Sequence, residues 1–75
     1  MKLPMAVLDE CIGHKIWIVM KGKREFSGIL RGFDDYFNAV LDEVIEVWEE
    51  GEEKQMRQHE SLLLNGHDIA YVNTL

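Results

Sequence analysis

A lone cysteine, Cys11, is the feature that most limits how this chain can fold. A domain of 75 residues buries only about 60% of the surface that its unfolded chain exposes. Domains of this size are usually stabilised by disulfides, by a metal or by association with other subunits. One thiol cannot form a disulfide within the chain, so we expect a single domain over residues 1–75 that relies on partner subunits. The unpaired thiol and the lack of a leader-like segment predict an intracellular, reducing compartment.

The distribution of charge bears on possible partners. The net charge is −6, from 14 acidic and 8 basic residues, which by itself argues against binding to nucleic acid because phosphates attract Lys and Arg. The acidic excess is concentrated in one region, in Glu43, Glu46, Glu49, Glu50, Glu52 and Glu53. Charges elsewhere are nearly balanced, so the remaining surface need not repel RNA. No apolar run approaches the roughly 18 residues that cross a bilayer, and no membrane partner is expected.

The start of the chain predicts a short helix. Pro4 suits the first helical turn, and Gly13 suits the position just after the last one. Apolar residues recur at the i, i+4 and i+8 positions, namely Leu3, Val7 and Cys11, with Leu8 and Ile12 beside them. One face of this helix is therefore expected to lie on the rest of the protein, and helix content should be confined to roughly the first dozen residues.

Four later segments have the composition of β-strands, with polar or glycine-containing turns between them. They are residues 15–20, 25–33, 54–64 and 69–73. Gly28 and Gly32 interrupt the second of these segments and predict a sharp bend or a bulge. In the third, alternation places Met56, Leu62 and Leu64 on one face. Asn65-Gly66 predicts a tight turn before the last strand.

The segment over residues 39–50 is ambiguous. Its apolar residues come in pairs separated by polar ones, which is closer to helical periodicity than to strict alternation. Propensity favours a strand, because Val40, Val44, Ile45 and Val47 are β-branched. Periodicity alone leaves the two interpretations near even. The order of one helix followed by about five closely spaced strands suggests a small barrel.

Two motifs resemble those of the Sm-like (LSm) protein family. Residues 28–41, GILRGFDDYFNAVL, look like the first Sm motif, and residues 63–69, LLNGHDI, look like the second. The resemblance extends over almost the whole chain. Asn65 stands where most family members have Arg. Together with Leu-Pro at residues 3–4 and Gly-Phe-Asp-Asp at residues 32–35, this Asn makes the chain similar to the subunit conventionally numbered five of the eukaryotic seven-membered LSm rings.

The resemblance implies the Sm fold, a mostly β structure with a short N-terminal α-helix followed by a strongly bent five-stranded antiparallel β-barrel. It implies a strand from about Ala39 through Trp48. It also implies a role: one nucleotide base of a uridine-rich single-stranded RNA lies between two loops of each subunit. Carried over, the RNA-binding residues are Asp35, Tyr36, Asn38, Asn65, Gly66 and His67.

The chemistry of these residues fits that role and also a simpler one. An aromatic ring such as Tyr36 can stack on any base, and the amide of Asn38 can donate to and accept from the edge of uracil. However, Asn and Gly are common in turns, and Asn38 could serve mainly to hold its loop. Asn65 also lacks the guanidinium that would carry charge. From chemistry alone the turn interpretation is the stronger of the two. Asp34 is expected to cap the first loop.

Other sites are not predicted. Cys11 and His14 have the spacing of metal ligands, but no second pair matches them, and His59 and His67 are isolated. Neighbouring acids such as Asp34 and Asp35 lack a matched His or Ser for catalysis. We therefore expect no metal, no cofactor, no catalytic residue and no enzyme activity.

The resemblance implies partners and a place of action. The expected partners are other LSm subunits in a seven-membered ring, and uridine-rich RNA such as the 3′ end of U6 snRNA. The expected processes are pre-mRNA splicing in the nucleus and mRNA decapping and decay in the cytoplasm. The isolated chain could form a non-native homo-oligomer. The alternative is a structural ring subunit that supplies interfaces and contacts little RNA.

Overall fold

The computed structural model describes residues 5–74, so the predictions that concern Leu3 and Pro4 lie outside the described part of the chain. Helix α1 spans Met5–Glu10 and ends three residues earlier than Gly13. Gly13 has a φ of +87° and its N–H donates to the Leu30 carbonyl at 2.7 Å. No helix among the described residues is long and apolar enough to span a bilayer.

The face that α1 turns to the core is only part of the predicted apolar face. Leu8 and Cys11 are buried, whereas Val7 and Ile12 are exposed. The expected i, i+4 stripe through Val7 is therefore wrong, because the helix is too short to carry it and Cys11 already belongs to the following turn. The helix region contacts the core through Leu8 and through Cys11 in the turn that follows the helix.

Five antiparallel strands follow, and each predicted strand is present within two residues of its expected ends. They are β1 (Lys15–Met20), β2 (Glu25–Phe33), β3 (Ala39–Glu50), β4 (Glu53–Leu64) and β5 (Ile69–Thr74). The order in the sheet is β4-β3-β2-β1-β5. A 3-10 helix, η1 (Gly66–Asp68), connects β4 to β5 and is the one described helix outside the N-terminal region. The ambiguous segment is a strand, as the family resemblance implied.

Two irregularities bend the long strands where glycines predicted them. The β2–β3 register shifts between Ser27 and Ile29, where β3 carries an extra residue, and Glu43 there has a φ of +53°. A Cβ on Gly28 would lie 2.9 Å from the Asp42 carbonyl oxygen, so this position requires glycine. A second shift falls between Leu30 and Gly32. Bulges of this kind increase twist and let a sheet curl over its own core.

The core lies on one face of this sheet and, within residues 5–74, is apolar apart from the carboxylate of Glu46. Its fully buried side chains are Ile16, Ile18, Leu30, Leu41, Val44 and Ile69. Met20, Phe33, Phe37 and Leu62 pack around them. This small core holds the two connections that carry the predicted site, the β2–β3 loop and η1.

The strands β4 and β5 form the two edges of the sheet, and no hydrogen-bonded ladder joins them within residues 5–74. Their exposed apolar side chains include Met56 (67%), Leu63 (68%) and Tyr71 (40%). The prediction that Met56 shares a face with Leu62 and Leu64 is wrong. Leu62 packs on the core and Leu64 is buried, whereas Met56 pairs with Val47 on the other face. Two edges with apolar side chains are suited to pairing with other strands.

Candidate RNA-binding site

Asp34 organises the loop between β2 and β3. Its Oδ1 accepts hydrogen bonds from the backbone N–H of Tyr36 at 2.8 Å and of Asn38 at 3.0 Å. Its Oδ2 accepts from the Asn38 side-chain amide at 2.9 Å. The bond from the Asn38 amide and the two backbone donors hold the pKa of this carboxyl below its usual value. The predicted capping role of Asp34 is confirmed.

Asn65 organises the second loop by capping η1. Its side-chain oxygen accepts from the His67 N–H at 2.9 Å, and its carbonyl accepts from the Asp68 N–H at 3.0 Å. Asn is favoured at this position for that reason. Asn65 and His67 are both exposed. These hydrogen bonds of Asn65 remain within its own loop, as the turn interpretation of this residue predicts.

One hydrogen bond and one close backbone approach join the two loops. The Gly66 N–H donates to the Asn38 side-chain oxygen at 2.7 Å. A Cβ on Gly66 would clash with the Tyr36 carbonyl oxygen and would lie 2.5 Å from the Phe37 carbonyl carbon. Phe37 itself has a φ of +63°, a left-handed conformation that bulky residues seldom adopt. Gly66 is therefore required by the contact between the loops.

Tyr36 is the side chain that this arrangement presents to solvent, with 79% of its surface exposed. Asn38 is half-buried, and its oxygen and one amide hydrogen are already bonded to Gly66 and Asp34. One N–H and one oxygen lone pair remain for a ligand. The structure thus brings Tyr36, Asn38 and Gly66 together. Asp35, Asn65 and His67 lie exposed in the same two loops, and their predicted contacts with RNA stay predictions.

Comparison with known proteins places this geometry in a family. The LSM domain matches residues 6–74. The chain belongs to the LSm family.

Two curated LSm relatives support the prediction at the level of the subunit. The chain is 47% identical over 68 residues to the Sm-like protein LSM5 of Arabidopsis thaliana. The aligned residues cover 91% of this chain and 77% of the relative. It is 40% identical over 67 residues to the probable U6 snRNA-associated Sm-like protein LSm5 of Dictyostelium discoideum, covering 89% and 69%. The predicted similarity to the subunit numbered five is confirmed.

Solved structures support the fold. A Pyrococcus abyssii Sm protein in complex with a uridine heptamer superposes with a TM-score of 0.83 at 19% identity, covering 99% of this chain and all of that one. A heptameric archaeal Sm protein superposes with a TM-score of 0.80 at 21% identity, covering 93% and 97%. The predicted Sm fold, with one helix and five antiparallel strands, is confirmed. Membership in this family, whose members are ring subunits, agrees with the expectation that the chain is not an enzyme.

A buried polar cluster in this LSm domain was missed by the sequence analysis. Glu46, only 5% exposed, pairs through Oε2 with Arg24 Nη1 at 2.6 Å and through Oε1 with His59 Nε2 at 2.8 Å. Burial would raise the pKa of Glu46, but the bonds to His59 and Arg24 outweigh it and the pKa lies below the usual value. The Arg24 guanidinium also stacks 4.4 Å from the Trp48 ring centroid.

This cluster corrects one interpretation, because His59 is not isolated. Glu46, counted above with the acidic region of the sequence, lies on the core side of β3. The two residues lie 13 positions apart and meet because β4 runs antiparallel to β3, with Val44 opposite His59. A buried glutamate needs charged or hydrogen-bonding partners. The sequence did contain a signal for this cluster. Glu46 follows Val44 by two residues, which places both on the same face of a strand, and the paired strand carries Arg57 and His59.

The structure shows no converging metal ligands in the described part of the chain. No group of three His, Cys, Asp or Glu side chains within residues 5–74 could hold an ion. Cys11 is buried and free, and His14 is exposed. The Cys11-His14 spacing is therefore that of a turn: the His14 N–H donates to the Cys11 carbonyl at 2.9 Å.

Proposed function

We propose that this LSm protein is a subunit of a mixed seven-membered ring that binds the 3′ ends of uridine-rich single-stranded RNA. The observation that carries the proposal is the hydrogen bond from Gly66 to Asn38, which fixes the two loops against each other beside the exposed ring of Tyr36. A fixed aromatic face with an adjacent amide suits a splayed base. The Pyrococcus abyssii protein with the same fold binds a uridine heptamer.

We propose two settings for this ring. In the nucleus it would bind U6 snRNA for pre-mRNA splicing, supported by the Dictyostelium discoideum relative that is named for its association with U6 snRNA. In the cytoplasm it would act in mRNA decapping and decay. The RNA-binding set remains Asp35, Tyr36, Asn38, Asn65, Gly66 and His67, with Tyr36 stacking and Asn38 contacting the base edge.

Assembly would use the two open edges of the sheet. Added strands can satisfy the unpaired groups of β4 and β5, and head-to-tail contacts of this kind close into rings when the rotation permits. The exposed Met56, Leu63 and Tyr71 would be covered in the process. Light scattering of the chain with its partner subunits should report a ring, and a mass of only 8.8 kDa under those conditions would contradict the proposal.

A second candidate function is a structural subunit that contacts little RNA. It is favoured by Asn38, whose side chain is largely engaged within the loops, and by Asn65, which supplies no cation. It predicts that the ring binds RNA through other subunits. The same experiment distinguishes the two functions.

That experiment is a titration of short oligo-uridine against rings that carry single substitutions in this subunit. Tyr36→Ala removes the stacking face and should cost about 1–3 kcal/mol of binding free energy. Asn38→Ala should weaken binding too, and thermal unfolding separates loss of the base contact from a loosened loop. Glu50→Ala, in the β3–β4 hairpin, is the matched control and should change nothing. Folded Tyr36→Ala and Asn38→Ala rings with unchanged affinity would establish the structural function.

A further inference from the structure

Phe37 has a backbone conformation that its own side chain disfavours. Its φ of +63° lies in the left-handed region, which is unusual for any residue other than glycine and most unusual for a bulky one. Among residues 5–74, Lys23 and Glu43 are the other non-glycine residues with a positive φ. Phe37 differs from both because it lies between the two proposed RNA contacts, Tyr36 and Asn38.

The hydrogen bonds around Phe37 define the type of loop. The Phe37 N–H donates to the Asp34 carbonyl at 3.0 Å, and the Asp34 N–H donates to the Asn38 carbonyl at 3.1 Å. This is the pattern of a three-residue hairpin loop, in which a β-turn is followed by one left-handed residue. Glycine or asparagine is the usual residue at that last position, because neither is strained there. This LSm domain has a phenylalanine instead.

The side chain of Phe37 accounts for this exception. It is half-buried and packs against the hydrophobic core beneath the loop. A glycine would satisfy the backbone at this position but would leave the loop without that contact. A strained conformation persists only where the surrounding structure holds it. The ring of Phe37 therefore anchors the loop to the core.

The backbone on both sides of Phe37 is also held by the second loop. A Cβ on Gly66 would clash with the Tyr36 carbonyl oxygen, and it would lie 2.5 Å from the Phe37 carbonyl carbon and 2.8 Å from the Phe37 carbonyl oxygen. The Asn38 side-chain oxygen accepts from the Gly66 N–H at 2.7 Å. The peptide groups before and after Phe37 are thus fixed by the core on one side and by η1 on the other.

We propose that Phe37 is a positioning residue of the RNA-binding site, an inference that rests on the function proposed above. Its ring anchors the loop, and its left-handed backbone sets the directions of its two neighbours, Tyr36 and Asn38. The Tyr36 side chain is 79% exposed, so its position depends on the backbone that carries it. Phe37 acts through these neighbours and needs no contact of its own with RNA.

The benefit of this anchor is that the site is ordered before the RNA binds. Each mobile side chain that must be immobilised on binding lowers the affinity. Loss of the anchor should therefore weaken binding although Tyr36 and Asn38 are both still present. A residue that only fills the core would affect stability and leave the affinity of an assembled ring unchanged.

Three substitutions of Phe37 in the reconstituted ring separate the anchor from the backbone. Phe37→Leu keeps an apolar side chain that packs on the core, and it should bind oligo-uridine within about twofold of the unsubstituted ring. Phe37→Gly keeps the left-handed backbone and loses the anchor, and it should bind about fivefold more weakly. Phe37→Ala also loses the anchor and remains strained, and it should bind about tenfold more weakly.

Thermal unfolding of the same rings tests the backbone conformation directly. At ordinary positions alanine is more stabilising than glycine, because glycine gives the unfolded chain more conformations. At a left-handed position this order reverses. Phe37→Ala should therefore melt below Phe37→Gly. Val44→Ala is the control for lost core packing: Val44 is buried in β3, six residues from Asn38, and its variant should melt lower without a change in oligo-uridine affinity.

The side-chain amide of Asn38 reports on positioning in the absence of RNA. One of its N–H groups is bonded to the Asp34 carboxylate at 2.9 Å. With this subunit labelled with ¹⁵N, the amide signals of the RNA-free Phe37→Ala and Phe37→Gly rings should move toward those of a solvated amide. The Phe37→Leu and Val44→Ala rings should keep the signals of the unsubstituted ring.

Two outcomes would overturn the positioning role. One is that the Phe37→Ala and Phe37→Gly rings retain the Asn38 signals and the oligo-uridine affinity of the unsubstituted ring. The other is that Phe37→Ala melts above Phe37→Gly. If the Phe37→Ala ring does not assemble, the unstrained Phe37→Gly ring provides the comparison with Phe37→Leu. Tyr36→Ala distinguishes the two proposals: its unchanged affinity would refute the proposed function, whereas the Asn38 signals test the anchor without RNA.

Discussion

The two polar networks of this LSm domain use carboxylates in opposite ways. In the loops, exposed Asp34 holds backbone N–H groups and the Asn38 amide, and the result is a fixed position for Tyr36. In the sheet, buried Glu46 is held by Arg24 and His59, and no hydrogen bond described above joins these three residues to the loops. Disrupting the first network changes what the surface presents, whereas disrupting the second leaves desolvated charge in the core. The first should determine RNA affinity and the second stability.

The largest effect is expected where the loops meet. Gly66→Ala places a methyl group against the Tyr36 carbonyl and the Phe37 backbone, neither of which is the flexible end of a side chain. We expect a loss of about 3 kcal/mol in the free energy of unfolding, and loss of oligo-uridine binding with it. Gly32→Ala is the control, because nothing lies within 4 Å of the added Cβ. Equal melting temperatures for the two variants would contradict the steric role of Gly66.

The next effect tests the buried network. Glu46→Gln retains the shape of the side chain and removes its charge, so the bonds to Arg24 and His59 lose their ionic character. Chemical denaturation should show a loss of about 1–2 kcal/mol. Rings that contain the folded variant should bind oligo-uridine as before. Reduced RNA affinity in a fully assembled Glu46→Gln ring would show that the two networks are coupled.

Acidification should destabilise both networks together. The pKa values of Glu46 and Asp34 lie below their ordinary values of 4.5 and 3.8. Their contribution to stability is therefore complete above about pH 4.5 and is lost as the pH falls through the lower folded-state values. Thermal unfolding at a series of pH values should show a shallower acid loss for Glu46→Gln than for the unsubstituted chain. Identical pH profiles would exclude Glu46 as a contributor.

The smallest effect isolates the loop carboxylate. Asp34→Asn retains one acceptor for the Tyr36 and Asn38 backbone N–H groups but replaces the acceptor of the Asn38 amide with a donor. We expect little change in melting temperature and a two- to fivefold loss of oligo-uridine affinity, because the substitution removes about one hydrogen bond. Asp9→Asn, at an exposed position of α1 outside the two loops, is the matched control. Wild-type affinity in the Asp34→Asn ring would mean that the loop is held by its other contacts.

The order of the strands along the chain could be predicted from the sequence because each strand is bounded by glycine or by polar turns. Which residues of β3 face the core could not be predicted. Ala39 and Leu41 face the core, and after Glu43 it is Val44 and Glu46 that do. The left-handed conformation of Glu43 shifts the alternation of core-facing and solvent-facing residues by one position. Core-facing Leu41 and Val44 are therefore three residues apart, which is a spacing typical of a helix. Nothing local marks Glu43 for this conformation. It belongs to the bulge opposite Gly28 on the neighbouring strand, where the lack of a side chain leaves room for the β3 backbone.

The candidate site could be predicted only in part. Its loops follow from Asn and Gly residues that favour turns, and the resemblance to the family paired the loops. The commitment of the Asn38 amide to Asp34 and Gly66 depends on contacts up to 28 residues apart along the chain. Such contacts leave no trace in local composition, and the same is true of the pairing between Glu46 and His59.

The open edges of β4 and β5 have a consequence for the cell's supply of subunits. In the proposed ring, completion of the sheet is a reaction between molecules, so mass action governs it and the melting temperature rises with the concentration of partners. A subunit made in excess keeps its apolar edge residues Met56 and Leu63 in water, where they invite aggregation or proteolysis. The abundance of this protein should therefore follow that of its scarcest neighbour in the ring.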